Sequence, residues 1–127
     1  MWPSQERWGA ETTRLGFTLV PNLLFRLNAH EQTKDYERIN PTEMIVLLTI
    51  LSHWINPQAQ PYPGIERIAR YTNLSGRHVR RAIHSLVAKK YLTIHRQGDM
   101  DSRRNSFSFR PIIERLAEVA KILAEGH

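Results

Sequence analysis

The chain has no cysteine among its 127 residues, which excludes disulfides, thiol catalysis and cysteine-ligated metal sites. It has no long apolar run either; the richest stretch, Met44 to Leu51, is too short to cross a bilayer. The first eight residues, Met1 to Trp8, are polar and charged and do not read as a signal peptide. A phosphate-cradling glycine loop is missing, as is a carboxylate pair in a marked context, so no enzyme activity is expected. The six histidines contain no i, i+4 pair; His78 and His84 stand six apart. No metal, cofactor or small-molecule ligand is therefore expected. There is no internal repeat and no low-complexity tract. A 41% hydrophobic share is enough for one folded unit with a modest core.

The most informative absence is local. From Ser75 to Lys90 there is no aspartate or glutamate. Eleven of the 18 lysines and arginines fall in residues 61–110, beside only Glu66, Asp99 and Asp101. The flanking segments are close to neutral. Basic charge confined to one segment implies a partner with fixed negative charge. Nucleic acid is the common case and an anionic membrane surface the rarer one. A cytoplasmic, nucleoid-associated protein is the matching expectation.

Local signals divide the chain. Residues 1–16 lack periodicity and read as an arm, with Trp2 and Trp8 expected to pin it to the body. Gly16 to Pro21 reads as a short strand stopped by proline, followed by a brief helix from Asn22 to Leu27 capped by Asn22. Residues 28–40 are polar and loop-like. Asn40-Pro41-Thr42-Glu43 is a strong helix start, with a capping asparagine, proline at the first helical position and a capping-box glutamate. That helix is apolar on most of its circumference to about Trp54 or Ile55, and is expected to be central and buried, with Trp54 in the core. His53 reads as a packed or surface histidine. Asn56-Pro57 ends the helix, and a proline-rich connection follows to Pro63.

Gly64 to Thr72 reads as a short helix. Asn73 sits where a tight turn needs positive φ, Leu74 points back to the core, and Ser75 caps a second helix to about Lys90. Two short helices joined so tightly make a helix-turn-helix unit. The period then changes to two. Tyr91–Arg96 and Ser106–Arg110 alternate, with Leu92, Ile94, Phe107 and Phe109 inward, around a polar tip carrying Arg103 and Arg104. This is a hairpin wing, and a third strand is allowed for. Pro111 opens a last helix to about Ala124. The expected fold is mainly α with a small antiparallel β wing, divided as an arm (1–16), a winged helix-turn-helix (17–110) and a C-terminal helix (111–127).

On the second helix of the motif, Val79, Ala82, Ile83 and Leu86 share one face. Arg77, His78, Arg81, His84 and Ser85 collect opposite, with Arg80 on the flank. Solvated charge on an ordinary amphipathic helix would mix signs; this one does not. The major groove admits one helix, and the arginine fork matches guanine O6 and N7. Free N–H groups at Ser75 and Gly76 suit a phosphate. Arg103 and Arg104 are placed to reach the minor groove or its phosphates. Arg96, Lys89 and Lys90 are weaker backbone candidates, and so are Arg67 and Arg70 on the preceding helix. The expected partner is double-stranded DNA.

The runs Tyr62 to Ala69 and Thr72 to Ile83, then Leu86 and Lys90-Tyr91-Leu92, resemble the winged helix-turn-helix domains of bacterial and phage DNA-binding proteins. The likeness covers about residues 17–110 and is nearest to plasmid and phage replication initiators and small plasmid- or phage-encoded regulators. The departures are Asn73 where such domains commonly carry glycine, and Gly64 where the cap is often serine or threonine. The resemblance implies that Ser75, Arg77, His78 and Arg81 occupy DNA-reading positions and that Arg103 and Arg104 belong to the wing. It leaves transcriptional regulator and origin-binding domain both open. A protein-interaction winged helix is disfavoured by the cationic face, and RNA binding by the lack of an aromatic strand motif. Ile112, Leu116, Val119 and Leu123 are spaced like a coiled-coil seam, with Glu114, Arg115, Glu118 and Lys121 outside, so a homodimer through 111–124 is expected, the alternative being a helix that folds back on its own domain.

Overall fold

Asn40 begins the central helix as its sequence dictates. Its side chain accepts from Glu43 N (2.8 Å), and Glu43 Oε1 accepts from Asn40 N (2.7 Å), closing a capping box around Pro41. This helix, α4 (Pro41–Ser52), buries Val46, Leu47 and Ile50 completely. It ends two residues before Trp54, where Ser52 Oγ and His53 Nδ1 both bond to the Thr49 carbonyl. The computed structural model describes residues 3–97 and 104–125, with only the backbone described for 3–5, 97 and 104.

Three short helices precede α4: α1 (Pro3–Trp8), α2 (Ala10–Arg14) and α3 (Asn22–Ala29); a single 3-10 turn covers Asp35–Glu37. The arm is thus helical, hinged at Gly9 with φ 87°, a value that favours glycine. Trp8 stays exposed and pins nothing, contrary to expectation; Trp2 lies outside the described residues. The strand expected at 16–21 is irregular chain without a ladder partner among the described residues. Asn22 is the first helical residue of α3 rather than its cap, a place taken by Pro21.

After α4 come α5 (Ile65–Thr72) and α6 (Gly76–Ala88). The turn between them forms because Asn73 takes the left-handed conformation (φ 58°, ψ 33°) and Leu74 N returns to Ala69 O at 3.2 Å. Ile68, Val79, Ala82, Ile83 and Leu86 then close on α4 as the core. Strands β1 (Thr93–Gln97) and β2 (Arg104–Ser108) pair antiparallel, with Ile94 opposite Phe107 and Arg96 opposite Asn105. Leu92, Phe107 and Phe109 are buried and Ile94 half-buried, as the alternation requires. Phe107 N donates to Pro61 O (2.9 Å), which ties the proline-rich connection to β2 without forming a third strand.

The last helix, α7 (Arg110–Glu125), takes the alternative course, folding back on its own domain. Ile112 is buried, and Leu116 and Val119 pack against the domain's own core, beside α3. The seam therefore turns inward. Arg115, expected on the outer face, lies 5.2 Å over the Tyr91 ring and donates to Lys89 O (2.8 Å). The architecture is a winged helix-turn-helix closed by a C-terminal helix. Among the described residues, no helix is long and apolar enough to cross a membrane.

Candidate nucleic-acid interface

Helix α6 starts at a serine because its first N–H groups have no carbonyl one turn earlier. Ser75 Oγ accepts from His78 N (3.2 Å) and also stands 2.8 Å from His78 Nδ1. The first rung of the helix is Val79 N to Ser75 O, so the N–H groups of Gly76 and Arg77 stay ahead of it, open to an anion. Gly76 is half-buried, and a Cβ there would meet Ile65 Cγ2 at 3.6 Å, ordinary contact. The close packing of α5 against the start of α6 thus leaves room for a small side chain.

The helical repeat sets the rest. Val79, Ala82, Ile83 and Leu86 are buried, and the opposite side carries Arg77, Arg81 and His84 one turn apart, all exposed. Arg80 is exposed on one flank and His78 on the other. Among the described residues no acidic side chain lies within salt-bridge distance of Arg77, Arg80 or Arg81. Arg67 and Arg70 of α5 are exposed beside them, and Arg96 is exposed on β1. Arg77, His78, Arg80, Arg81 and His84 thus share the exposed surface of one helix. Arg103 lies outside the described residues, and of Arg104 only the backbone position opposite Gln97 is described.

Two candidates face elsewhere. Ser85 is half-buried, with its hydroxyl hydrogen-bonded to the Glu43 carboxylate rather than offered to solvent. Lys89 places Nζ at 2.8 and 3.1 Å from the Glu43 oxygens, so it serves the fold and not a phosphate. Burial pushes the Glu43 carboxyl up, but hydrogen bonds from Lys89, Ser85 and the Asn40 backbone, with the Lys89 charge, hold it below the usual value. This buried pair and Arg115 grip the C-terminal end of α6. Sequence reading missed both because their partners are 46 and 26 residues away.

The same end carries local strain. Lys90 has φ 63°, with Lys90 N bonded to Val87 O and Tyr91 N to Leu86 O, the pattern that usually selects glycine. Lys90→Gly is expected to stabilise the protein by about 0.5–1 kcal/mol and raise its melting temperature by a few degrees. Thermal melts read by circular dichroism check this; a lower melting temperature would mean that the lysine stem contributes packing that outweighs the strain.

Residues 37–92 match a known family, the helix-turn-helix domain. The matched span runs from the 3-10 turn through α4, α5 and α6 to Leu92, and includes the whole cationic face of α6. The match supports DNA binding by this unit. No curated protein matches the chain.

Proposed function

We propose that the chain binds double-stranded DNA in a sequence-specific manner and acts as a small regulator of transcription, of the plasmid or phage kind. Residues 17–110 form the DNA-binding unit. Helix α6 enters the major groove, with Arg77 and Arg81 on base edges and His78 and His84 beside them. The open N–H groups of Gly76 and Arg77, just past the Ser75 cap, take a phosphate, and Arg80, Arg67 and Arg70 lie along the backbone. Arg96 on β1 faces the neighbouring phosphates or minor groove, and Arg103 and Arg104, assigned to the wing by sequence, would join it there. The observation that carries this reading is the exposed line Arg77, Arg81 and His84, without an acidic partner among the described residues, on the second helix of a helix-turn-helix. Cytoplasmic, nucleoid-associated residence follows from the ligand. The resemblance to replication initiators supports origin binding as the second reading, since the same surface would serve repeats at an origin.

Fluorescence anisotropy with labelled duplexes tests the proposal. Log K should fall linearly with log salt, with a slope of about −0.9 for each phosphate neutralised. Arg96→Ala should weaken binding to all duplexes and flatten that slope by about one phosphate's worth. A slope unchanged in that variant would remove β1 from the interface. Absence of any salt-dependent duplex binding by the folded wild-type chain would overturn the function. Selection from random duplexes, followed by inspection of the DNA around the gene, separates promoter from origin.

A further inference from the structure

Away from α6 the surface is apolar where a monomer should be polar. Leu15, Phe17, Leu19, Ile55 and Ile113 are 89%, 49%, 76%, 89% and 47% exposed. They rim a groove of about 820 Å3 whose floor includes Leu47, Trp54, Phe109 and Leu116. No lining residue comes from α5, α6, β1 or β2. Occupying this groove therefore leaves the cationic helix free.

We infer that this groove and its rim dock a second copy of the chain, related by a two-fold axis, with residues 17–20 of each copy pairing as antiparallel strands. Three observations carry it. The first is area. The five rim residues expose on the order of 700 Å2, above what most monomers leave in one patch and close to the ~800 Å2 each partner gives a standard interface. The second is charge. A two-fold contact sets a patch against itself, so like charges meet. Arg14 is the only Asp, Glu, Lys or Arg among the lining residues, whereas the α6 face carries three arginines and would repel its own copy. A strongly basic partner would find no complementary charge among these lining residues, and a strongly acidic one only Arg14. The third is backbone. Residues 17–20 belong to no helix or ladder and, among the described residues, make no backbone hydrogen bonds. The sequence alternates there like a strand, with Phe17 and Leu19 outward and Val20 packed on the core. A strand without a ladder in its own domain finds one in the equivalent segment of a second copy, and Pro21 ends the pairing.

This dimer does not depend on the DNA-binding reading. It replaces the α7 seam, which the domain's own core consumes, and takes from α7 only Ile113 at the rim. Sedimentation equilibrium of the full chain, from micromolar to near-millimolar protein, is the test. The wild-type mass should approach twice 14.9 kDa. Leu19→Glu with Ile55→Glu should weaken self-association about 100-fold or more while keeping the fold, because both side chains face solvent in the single chain; its melting temperature should fall only by what dimerisation lends the wild type. Arg77→Ala with Arg81→Ala should leave the dimer intact, so failure of DNA binding and failure of docking are read separately. A wild-type chain that stays at 14.9 kDa throughout overturns the proposal and gives the groove to another occupant. A folded double variant that still dimerises like wild type also overturns it, moving the interface to another surface such as Ile122. If the double variant unfolds, Ile55→Ser alone decides by the same two outcomes.

Discussion

Arg77→Ala with Arg81→Ala should cost the protein most of its sequence-specific DNA affinity. Each guanidinium that forks onto a guanine contributes about 1–3 kcal/mol of discrimination. If the two act independently, the loss is about 30-fold to 10⁴-fold, since about 1.4 kcal/mol is tenfold. They lie one turn apart and can share a base step, so a departure from additivity would itself report that they read adjacent pairs. Folding should be untouched. Both side chains are exposed, neither has an ion-pair partner among the described residues, and alanine is the better helix former. Anisotropy with the selected duplex and with a scrambled one distinguishes the roles. The double variant should lose preference between them, whereas Arg80→Ala, on the flank, should weaken both alike. A folded double variant with wild-type affinity and preference would sink the assignment of α6 as the reading helix.

What could be read from the sequence was what local chemistry decides. The capping box at Asn40 and Glu43, the positive φ at Asn73 and the serine cap at Ser75 each depend on neighbours within five residues, and each stands where the pattern put it. The alternation around Ile94 and Phe107 fixed the wing in the same way. Long-range partners were not legible. A helical wheel puts Arg115 among the solvent residues of α7, and only the fold reveals that the Tyr91 ring and the Lys89 carbonyl wait there. Ser85 was assigned to the DNA face because it falls near its edge, about 80° round from Arg77. The packing of α4 beside α6 turns that edge inward. The strand at 16–21 has strand-like alternation, but a strand also needs a ladder, and propensity cannot supply one. The arm failed for a related reason, because Trp8 signals apolar burial without saying against what.

Cutting the Glu43–Lys89 pair should be the most damaging single change to stability, and which partner is removed should matter. The Glu43 side chain is 4% exposed and the Lys89 side chain 21%. Lys89→Met strands the deeper charge: a 4%-exposed carboxylate without its cation, held by Ser85 and the Asn40 backbone. The expected cost is about 3–5 kcal/mol. Glu43→Gln is expected to cost less, about 1–3 kcal/mol, because the amide keeps an oxygen for the Asn40 N–H and the lysine stem can swing its charge to water. The pH dependence separates a charge effect from lost packing. The folded pKa of Glu43 lies below the ordinary 4.5, so its contribution is complete above that value and disappears as pH falls through the lowered one. Acidification from neutrality should therefore lower the wild-type melting temperature more steeply below about pH 4.5 than that of Glu43→Gln, which has no proton to take up. Because Lys89 anchors the end of α6 that Arg115 also grips, Lys89→Met should weaken DNA binding as well, even where the fold survives. Parallel pH–melting curves for wild type and Glu43→Gln would show that the pair's charge does not stabilise the fold, and Lys89→Met melting like wild type would show that the carboxylate finds another partner.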